Sequence, residues 1–156
     1  MRVNNDLVNV SRPGGEFLVL TRLWKKGDSL ALDLPMPLRL VKGRQSQAGR
    51  VAVMRGPQLF CLNPKLNQGL EGVDLHQVLI DPDTLEGPFK DDTVRENGLA
   101  CTVKGWKSTG FSSGGNHNLS LRLTEFPDPD GMAVYFRVRR MGQIGVDDEL
   151  SVKESN

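Results

Sequence analysis

The sequence predicts an all-β fold, an antiparallel β-sandwich or jelly roll with a long irregular middle segment. Two observations carry this. About eight short runs alternate apolar and polar residues with period two. Between them, 17 glycines and 9 prolines punctuate the 156 residues, chemistry that favours short strands and tight turns over long helices. One domain of this length buries roughly 68–70% of its unfolded surface and needs no metal or disulfide staple, so residues 1–156 are read as a single β-sandwich domain.

The first run covers residues 16–24. Phe17, Val19 and Leu23 fall on one face and Leu18, Leu20 and Trp24 on the other, the pattern of a strand covered on both sides. Lys25, Lys26, Gly27 and Asp28 make a polar turn. Residues 29–34 follow, with Leu30, Leu32 and Leu34 expected inward and Ala31 and Asp33 outward. The two runs predict a β-hairpin. Pro35-Met36-Pro37 then removes ladder donors, which suits a sheet edge or a crossover. A strand is expected over 38–41, a polar loop over 42–49, and two more strands over 51–54 and 58–62, separated by Arg55-Gly56-Pro57.

Residues 63–98 are less regular and hold a possible sub-block boundary. Asp81-Pro82-Asp83, Gly87-Pro88 and Asp91-Asp92 are turn or cap chemistry. A turn of helix is expected near Asp83 or Asp91, and only 78–80 reads as a strand. A strand over 99–106 and a Gly/Ser-rich loop over 107–118 come next. Residues 119–124 alternate cleanly, Asp128-Pro129-Asp130-Gly131 is a strong turn signal, and Val134, Phe136 and Val138 alternate again. These last two runs predict a second hairpin. Cys61 and Cys101 sit inside apolar runs and read as buried small hydrophobes. They could be bridged only if their Cα atoms come within about 7 Å.

Composition excludes several function classes. The net charge is +1, from 20 basic and 19 acidic residues, and the short run Arg137, Arg139, Arg140 is no nucleic-acid footprint. No apolar run is long enough to span a membrane. Residues 1–10 lack the apolar core of a signal peptide, so the chain as given is not expected to be exported by its own signal, although it could be a piece of a longer exported protein.

No catalytic constellation is visible. His76 and His117 lack a nucleophile turn and read as surface or loop histidines. There is no C-x-x-C or H-x-x-x-H spacing for zinc, and no metal or cofactor is expected. Ser112-Ser113-Gly114-Gly115 lacks the lysine of a phosphate loop. The acidic groups Asp81/Asp83, Asp91/Asp92, Asp128/Asp130 and Asp147-Asp148-Glu149 recur at turns and read as turn or cap residues, with a glycosidase-like carboxylate pair as the alternative. Sugar recognition would use exposed aromatics. Trp106, beside the Gly/Ser loop and near Lys104 and Asn116, is the candidate platform, with Tyr135 as a further aromatic.

Two stretches resemble a known family. Trp24-Lys25-Lys26-Gly27-Asp28 and Leu32-Asp33-Leu34-Pro35-Met36-Pro37 resemble a W-x-x-G-D…L-x-L-P-M pattern. Gly49 to Cys61, through Arg55-Gly56-Pro57, resembles G-x-V-A-hydrophobic-x-R-G-P-hydrophobic-V-Y-C. Together they look like the region after the catalytic barrel in glycoside hydrolase family 127, the β-L-arabinofuranosidase-like family. These residues read as fold motifs: Trp24, Gly27 and Asp28 would set a hairpin, Met36 would fill the core beside Pro35, and Arg55, Gly56 and Pro57 would make a tight corner. The resemblance implies that catalysis belongs to a separate α-helical barrel that supplies a nucleophilic cysteine, zinc ligands and acids. This chain has no room for that barrel. Cys61 matches the β-sandwich motif, so it is not the nucleophile. Where relatives carry an acid soon after that cysteine, this chain has Asn63-Pro64, and no contact through that acid is carried over.

Three functions remain open. The first is a non-catalytic accessory domain whose partner is a catalytic α-helical barrel or a homo-oligomer; it predicts an exposed apolar patch. The second is an independent carbohydrate-binding module using Trp106 or Tyr135. The third, ranked last, is a small glycosidase using an acidic pair.

Overall fold

The computed structural model describes residues 1–9, 17–107 and 116–138, together with the backbone of a short strand at Val146–Asp147. The chain divides into two compact units, Met1–Met36 and Pro37–Asn156. Both are built on strands, as the all-β reading expects.

In the first unit, β1 (Arg2–Val3), β2 (Asp6–Leu7) and β3 (Leu30–Ala31) form an antiparallel sheet in the order β2-β1-β3. The two-residue β1–β2 loop holds Asn4 at φ 50° and Asn5 at φ 71°. Asparagine tolerates this left-handed backbone, which two-residue hairpin loops require. Asn4 also ties the loop down. Its N–H donates to the Ser29 carbonyl at 3.0 Å, its Oδ1 accepts from Ser29 N–H at 2.9 Å, and its Nδ2 donates to Asp28 Oδ1 at 2.8 Å.

The Lys25–Asp28 turn forms as the motif predicts, but the hairpin around it does not. Asp28 N–H donates to the Lys25 carbonyl at 3.0 Å and Asp28 Oδ2 accepts from Lys25 N–H at 2.9 Å. Gly27 sits at φ +95°, where a side chain would be strained. Residues 17–24 carry no strand, and within 29–34 only β3 pairs, with β1 rather than with 16–24. The physical reason is a shortage of partners. A strand apolar on both faces needs neighbours on its edges and layers above and below it, and a short three-stranded sheet supplies neither. Leu7, Phe17, Val19, Leu23, Leu32 and Leu34 are each more than half exposed. Leu30, Leu32 and Leu34, expected inward, point to solvent, and Met36, expected in the core, is 37% exposed. Glu16 lies outside the described residues.

The second unit holds β4 (Leu38–Lys42), β5 (Arg50–Arg55), β6 (Gln58–Leu62), β7 (Leu79–Ile80), β8 (Glu86–Lys90), β9 (Leu99–Trp106), β10 (Leu119–Glu125), β11 (Phe136–Val138) and β12 (Val146–Asp147). Among the described residues they make one nine-stranded sheet in the order β11-β7-β9-β10-β6-β5-β4-β12, with β8 on β9. An additional β11–β5 pairing closes the path, so that β5, β6, β10, β9, β7 and β11 form a ring. β4 runs along β5 over Leu38–Lys42, while β6 and β11 share its other edge at opposite ends. Two pairings, β11–β7 and β12–β4, are parallel, so the sheet is not wholly antiparallel as predicted.

The inward positions of each strand fill the ring. Val51 and Val53 of β5 meet Phe60 and Leu62 of β6, Cys101 and Val103 of β9, Leu119, Leu121 and Leu123 of β10, and Phe136 of β11. Burying a Phe, Leu or Val side chain contributes about 1.5–3 kcal/mol, so these alternating runs are what holds the unit together. Gly105 allows β7 to cross β9, because a Cβ there would collide with the Leu79 carbonyl oxygen.

The expected hairpin between residues 119–124 and 134–138 is absent. β10 pairs with β9 and β6, and β11 pairs with β5 and β7. The Asp-Pro-Asp-Gly turn is present, but it folds the chain back over the outer side of β6 and β10. Asp128 N–H and Gly131 N–H close successive turns, and Met132 N–H donates to the Leu62 carbonyl at 2.9 Å. Asp128 Oδ2 accepts from Asn63 Nδ2 and from Thr124 Oγ1, both at 2.8 Å. These buried bonds outweigh local strand pairing.

β8, Glu86–Lys90, lies inside the stretch predicted to be irregular. The helical turn expected near Asp83 is a 3-10 turn over Pro82–Thr84 with Asp81 as its cap, whereas Asp91 caps no helix. Both cysteines are free and buried. The register puts Cys61, Thr124 and Ala100 in one row and Leu62, Leu123 and Cys101 in the next. Adjacent rows face opposite sides of a sheet, so the two thiols cannot be joined. Burial pushes the Cys101 thiol up to about 12. Burial also raises Cys61, helped by the nearby Asp128 charge and opposed by a hydrogen bond with Thr124.

Candidate functional site

The outward positions of β9 and β10 are polar and end in an aromatic. Lys104 lies opposite Ser120 and Thr102 opposite Arg122, and the alternation carries Trp106 onto the same face. Beyond the last paired residues, Asn118 N–H donates to the Gly105 carbonyl at 3.1 Å, and Lys107 N–H donates to Asn118 Oδ1 at 3.0 Å. The chain entering β10 is thereby fixed, and His117 is laid against Trp106, ring centroids 4.5 Å apart and planes tilted by 30°.

The imidazole is held at a second point. His117 Nε2 lies 2.7 Å from Asp81 Oδ2. Asp81 is itself positioned by the 3-10 turn: its Oδ1 accepts from Asp83 N–H at 3.3 Å, and its carbonyl accepts from Thr84 Oγ1 at 2.7 Å. Its own N–H donates to the Lys104 carbonyl at 2.8 Å, and Lys104 N–H donates to Thr84 Oγ1 at 2.9 Å. Beside this dyad lies an open cavity of about 480 Å³, lined by Lys104, Asn116, His117, Asn118, Leu119 and Ser120.

Of the sugar-binding candidates, Lys104 and Asn116 line this cavity and Trp106 backs its histidine. Tyr135 is half-buried just before β11 and does not line it. Asp81 and His117 are 36 residues apart, and no spacing signal in the sequence joins them. Residues 108–115, most of the predicted Gly/Ser loop including Ser112 to Gly115, lie outside the described residues, as do Arg139, Arg140, Asp148 and Glu149.

The motif residues sit elsewhere. Trp24, Gly27 and Asp28 belong to the first unit's turn, where the Arg22 guanidinium lies 4.9 Å from the Trp24 ring centroid. Asp28 is held below the usual carboxylate range by the Asn4 amide, the Lys25 N–H and the Arg22 charge, against a smaller effect of burial. Pro35 and Met36 end that unit. Arg55-Gly56-Pro57 makes the tight β5–β6 corner as expected, with Gly56 at φ +54° and its carbonyl accepting from Arg39 Nη2 at 3.1 Å.

The acidic pairs build turns and ion pairs. Asp91 Oδ1 accepts from Thr93 N–H at 2.9 Å, while its Oδ2 takes Arg122 Nε at 2.7 Å and Nη2. Burial raises the Asp91 carboxyl, but hydrogen bonds from Arg122 and Thr93, with the Arg122 charge, hold it below the ordinary range. Asp128 follows the same pattern: Asn63, Asp130 N–H, Thr124 and the Lys65 charge outweigh burial and lower it. Glu125, 1% exposed, receives Arg95, Gln58 and the Leu99 N–H, and the carboxylate raises the Arg95 guanidinium further. Among the described residues no group of three or more His, Cys, Asp or Glu could hold a metal ion.

No family model and no curated protein matches the chain. Solved structures do. A protein described as a glycoside hydrolase matches with a TM-score of 0.65 at 22% identity, covering 89% of this chain and 25% of its own. A GH127 β-arabinofuranosidase matches at 0.66 and 22%, covering 88% and 22%. A GH127 β-L-arabinofuranosidase from Geobacillus stearothermophilus T6 matches at 0.55 and 23%, covering 76% and 21%. The chain thus has the fold of one portion of such enzymes and spans about a quarter or less of their length.

Proposed function

We propose that the chain acts as a non-catalytic accessory β domain of a GH127-like glycoside hydrolase, bracing the catalytic α-helical barrel or an oligomer interface. The reading starts from a fold shared with 22–25% of the length of the matched glycoside hydrolase structures. The observation that carries it is the apolar surface of the first unit, where Phe17 is 93% exposed and Leu23 89%. Soluble monomers rarely leave so many large apolar side chains in water, and such surface marks an interaction site. The occupant we favour is the α-helical barrel that the family resemblance implies; this chain covers only 21–25% of the length of the matched structures, which leaves room for it there. The acidic residues support the same view. Asp91 and Asp128 are engaged by Arg122 and by Asn63 and Thr124, and carboxyls held ionised cannot serve as general acids near neutral pH.

The test is direct. The purified chain should give no turnover of an aryl β-L-arabinofuranoside, should bind an apolar dye, and should self-associate as its concentration rises. Replacing Phe17 and Leu23 by serine should reduce both dye binding and self-association. Turnover abolished by a single carboxylate substitution would overturn the reading in favour of a small glycosidase. A chain that stays monomeric and binds no dye would remove its main support.

A further inference from the structure

We propose that the cavity at the Trp106 end of β9 and β10 binds one neutral sugar residue of a glycan, whether or not the chain braces a barrel. The walls carry the argument. Of the six lining residues, only Leu119 is apolar, and it is 6% exposed, so an apolar ligand has little to bury against. Lys104, Asn116, Asn118 and Ser120 supply an ammonium, two primary amides and a hydroxyl. An amide donates and accepts within one plane and a hydroxyl does both, which matches the alternating donors and acceptors of adjacent sugar hydroxyls. A few fixed polar groups around a concave site are what confers small-ligand specificity.

Charge argues against an anion. Among the described residues, Lys104 is the one lysine or arginine lining the cavity, and the Asp81 carboxylate lies 2.7 Å from the histidine on the same wall. A single ammonium with a carboxylate close by lacks the paired cations that recognise an anionic group. The dyad also orients the imidazole: Nε2–H donates to the Asp81 carboxylate, which leaves Nδ1 as the ring nitrogen open to a ligand hydroxyl. The stack against Trp106 at 4.5 Å and the fixed Asn118 Oδ1 mean that the groups are ordered before a ligand arrives, which lowers the entropic cost of binding.

Calorimetry of the full chain with arabinotriose, xylotriose and galactotriose, and with trigalacturonic acid as the anionic probe, tests this. At least one neutral trisaccharide should bind saturably. Lys104→Ala and His117→Ala should each weaken binding about fivefold or more, the worth of one hydrogen bond, with an unchanged circular dichroism spectrum, while Tyr135→Phe should leave it alone. Lys104 is exposed, so its truncation tests the cavity even if the histidine variant misfolds. No binding by any neutral sugar, binding only of trigalacturonic acid, or binding indifferent to Lys104→Ala would each overturn the proposal.

Discussion

Asp128 and Asp130 stand two residues apart in the same turn, yet their removal should differ by several kcal/mol. Asp128 is 6% exposed, and its Oδ2 receives the side chains of Asn63 and Thr124, themselves 4% and 1% exposed. Its Oδ1 also accepts from Asp130 N–H at 2.9 Å. Asp128→Ala strands two buried donors, each costing about 1–3 kcal/mol when left unpaired, and also loses charge-assisted bonds. A total of about 3–5 kcal/mol is expected, at the upper end for single substitutions. Asp130 pairs with Lys65 at 2.7 Å, but the two side chains are 44% and 71% exposed. Solvent screening limits such a pair to about 0–1 kcal/mol. Urea unfolding read by Trp106 fluorescence, in a Trp24→Phe background, separates the second unit's transition from the first. If Asp128→Ala costs less than about 1 kcal/mol, or no more than Asp130→Ala, water is replacing the carboxylate and the buried-network argument fails.

Three further outcomes follow from the same packing. A Cβ at Gly131 would run into Cys61 Sγ, so Gly131→Ala should destabilise by about 1–3 kcal/mol and Cys61→Ala should recover part of that loss; additive effects would refute the contact. Asp91 and Asp128 titrate below the ordinary range in the folded chain, so their contribution is complete above the unfolded value of about 4 and is lost as pH falls through the lower folded values. The urea midpoint should therefore drop with acidification below about pH 4, less steeply in Asp91→Asn, and a flat profile would contradict the assignment. With Cys101 pushed up to about 12 and Cys61 also raised and buried, neither should react with a thiol-selective disulfide reagent until urea unfolds the chain; fast native labelling of either would show that its strand opens.

The parts of the fold legible in the sequence are those whose cause is local. β5, β6, β9 and β10 announce themselves because alternating residues fill one face, and the Arg55-Gly56-Pro57 corner because Gly56 needs positive φ. β8 is hidden because Glu86-Gly87-Pro88-Phe89-Lys90 carries turn formers and is held by β9 rather than by its own pattern. Residues 17–24 fail in the opposite sense. Their alternation is that of a covered strand, but among the described residues they pair with no strand, and Phe17, Val19 and Leu23 are exposed. The partner of β11 differs from the expected one because the Asp128 network diverts the chain, leaving Phe136 beside Val51, which is far away in sequence. The Asp81–His117 dyad is invisible in the sequence for a similar reason, since it exists only once β7, β9 and the start of β10 have been brought together.

Closure of the six-strand ring has a consequence for the order of events during synthesis. Val51 waits for Phe136, and Leu79 for Arg137, so the seam cannot form until the ribosome has made nearly all of the described second unit. Until then the end of β5 offers unpaired amides and carbonyls to any passing strand. Contacts this distant in sequence make for slow folding and long exposure of such edges. A nascent chain held just short of Phe136 should therefore be the form that chaperones bind most tightly, and the addition of β11 should release it.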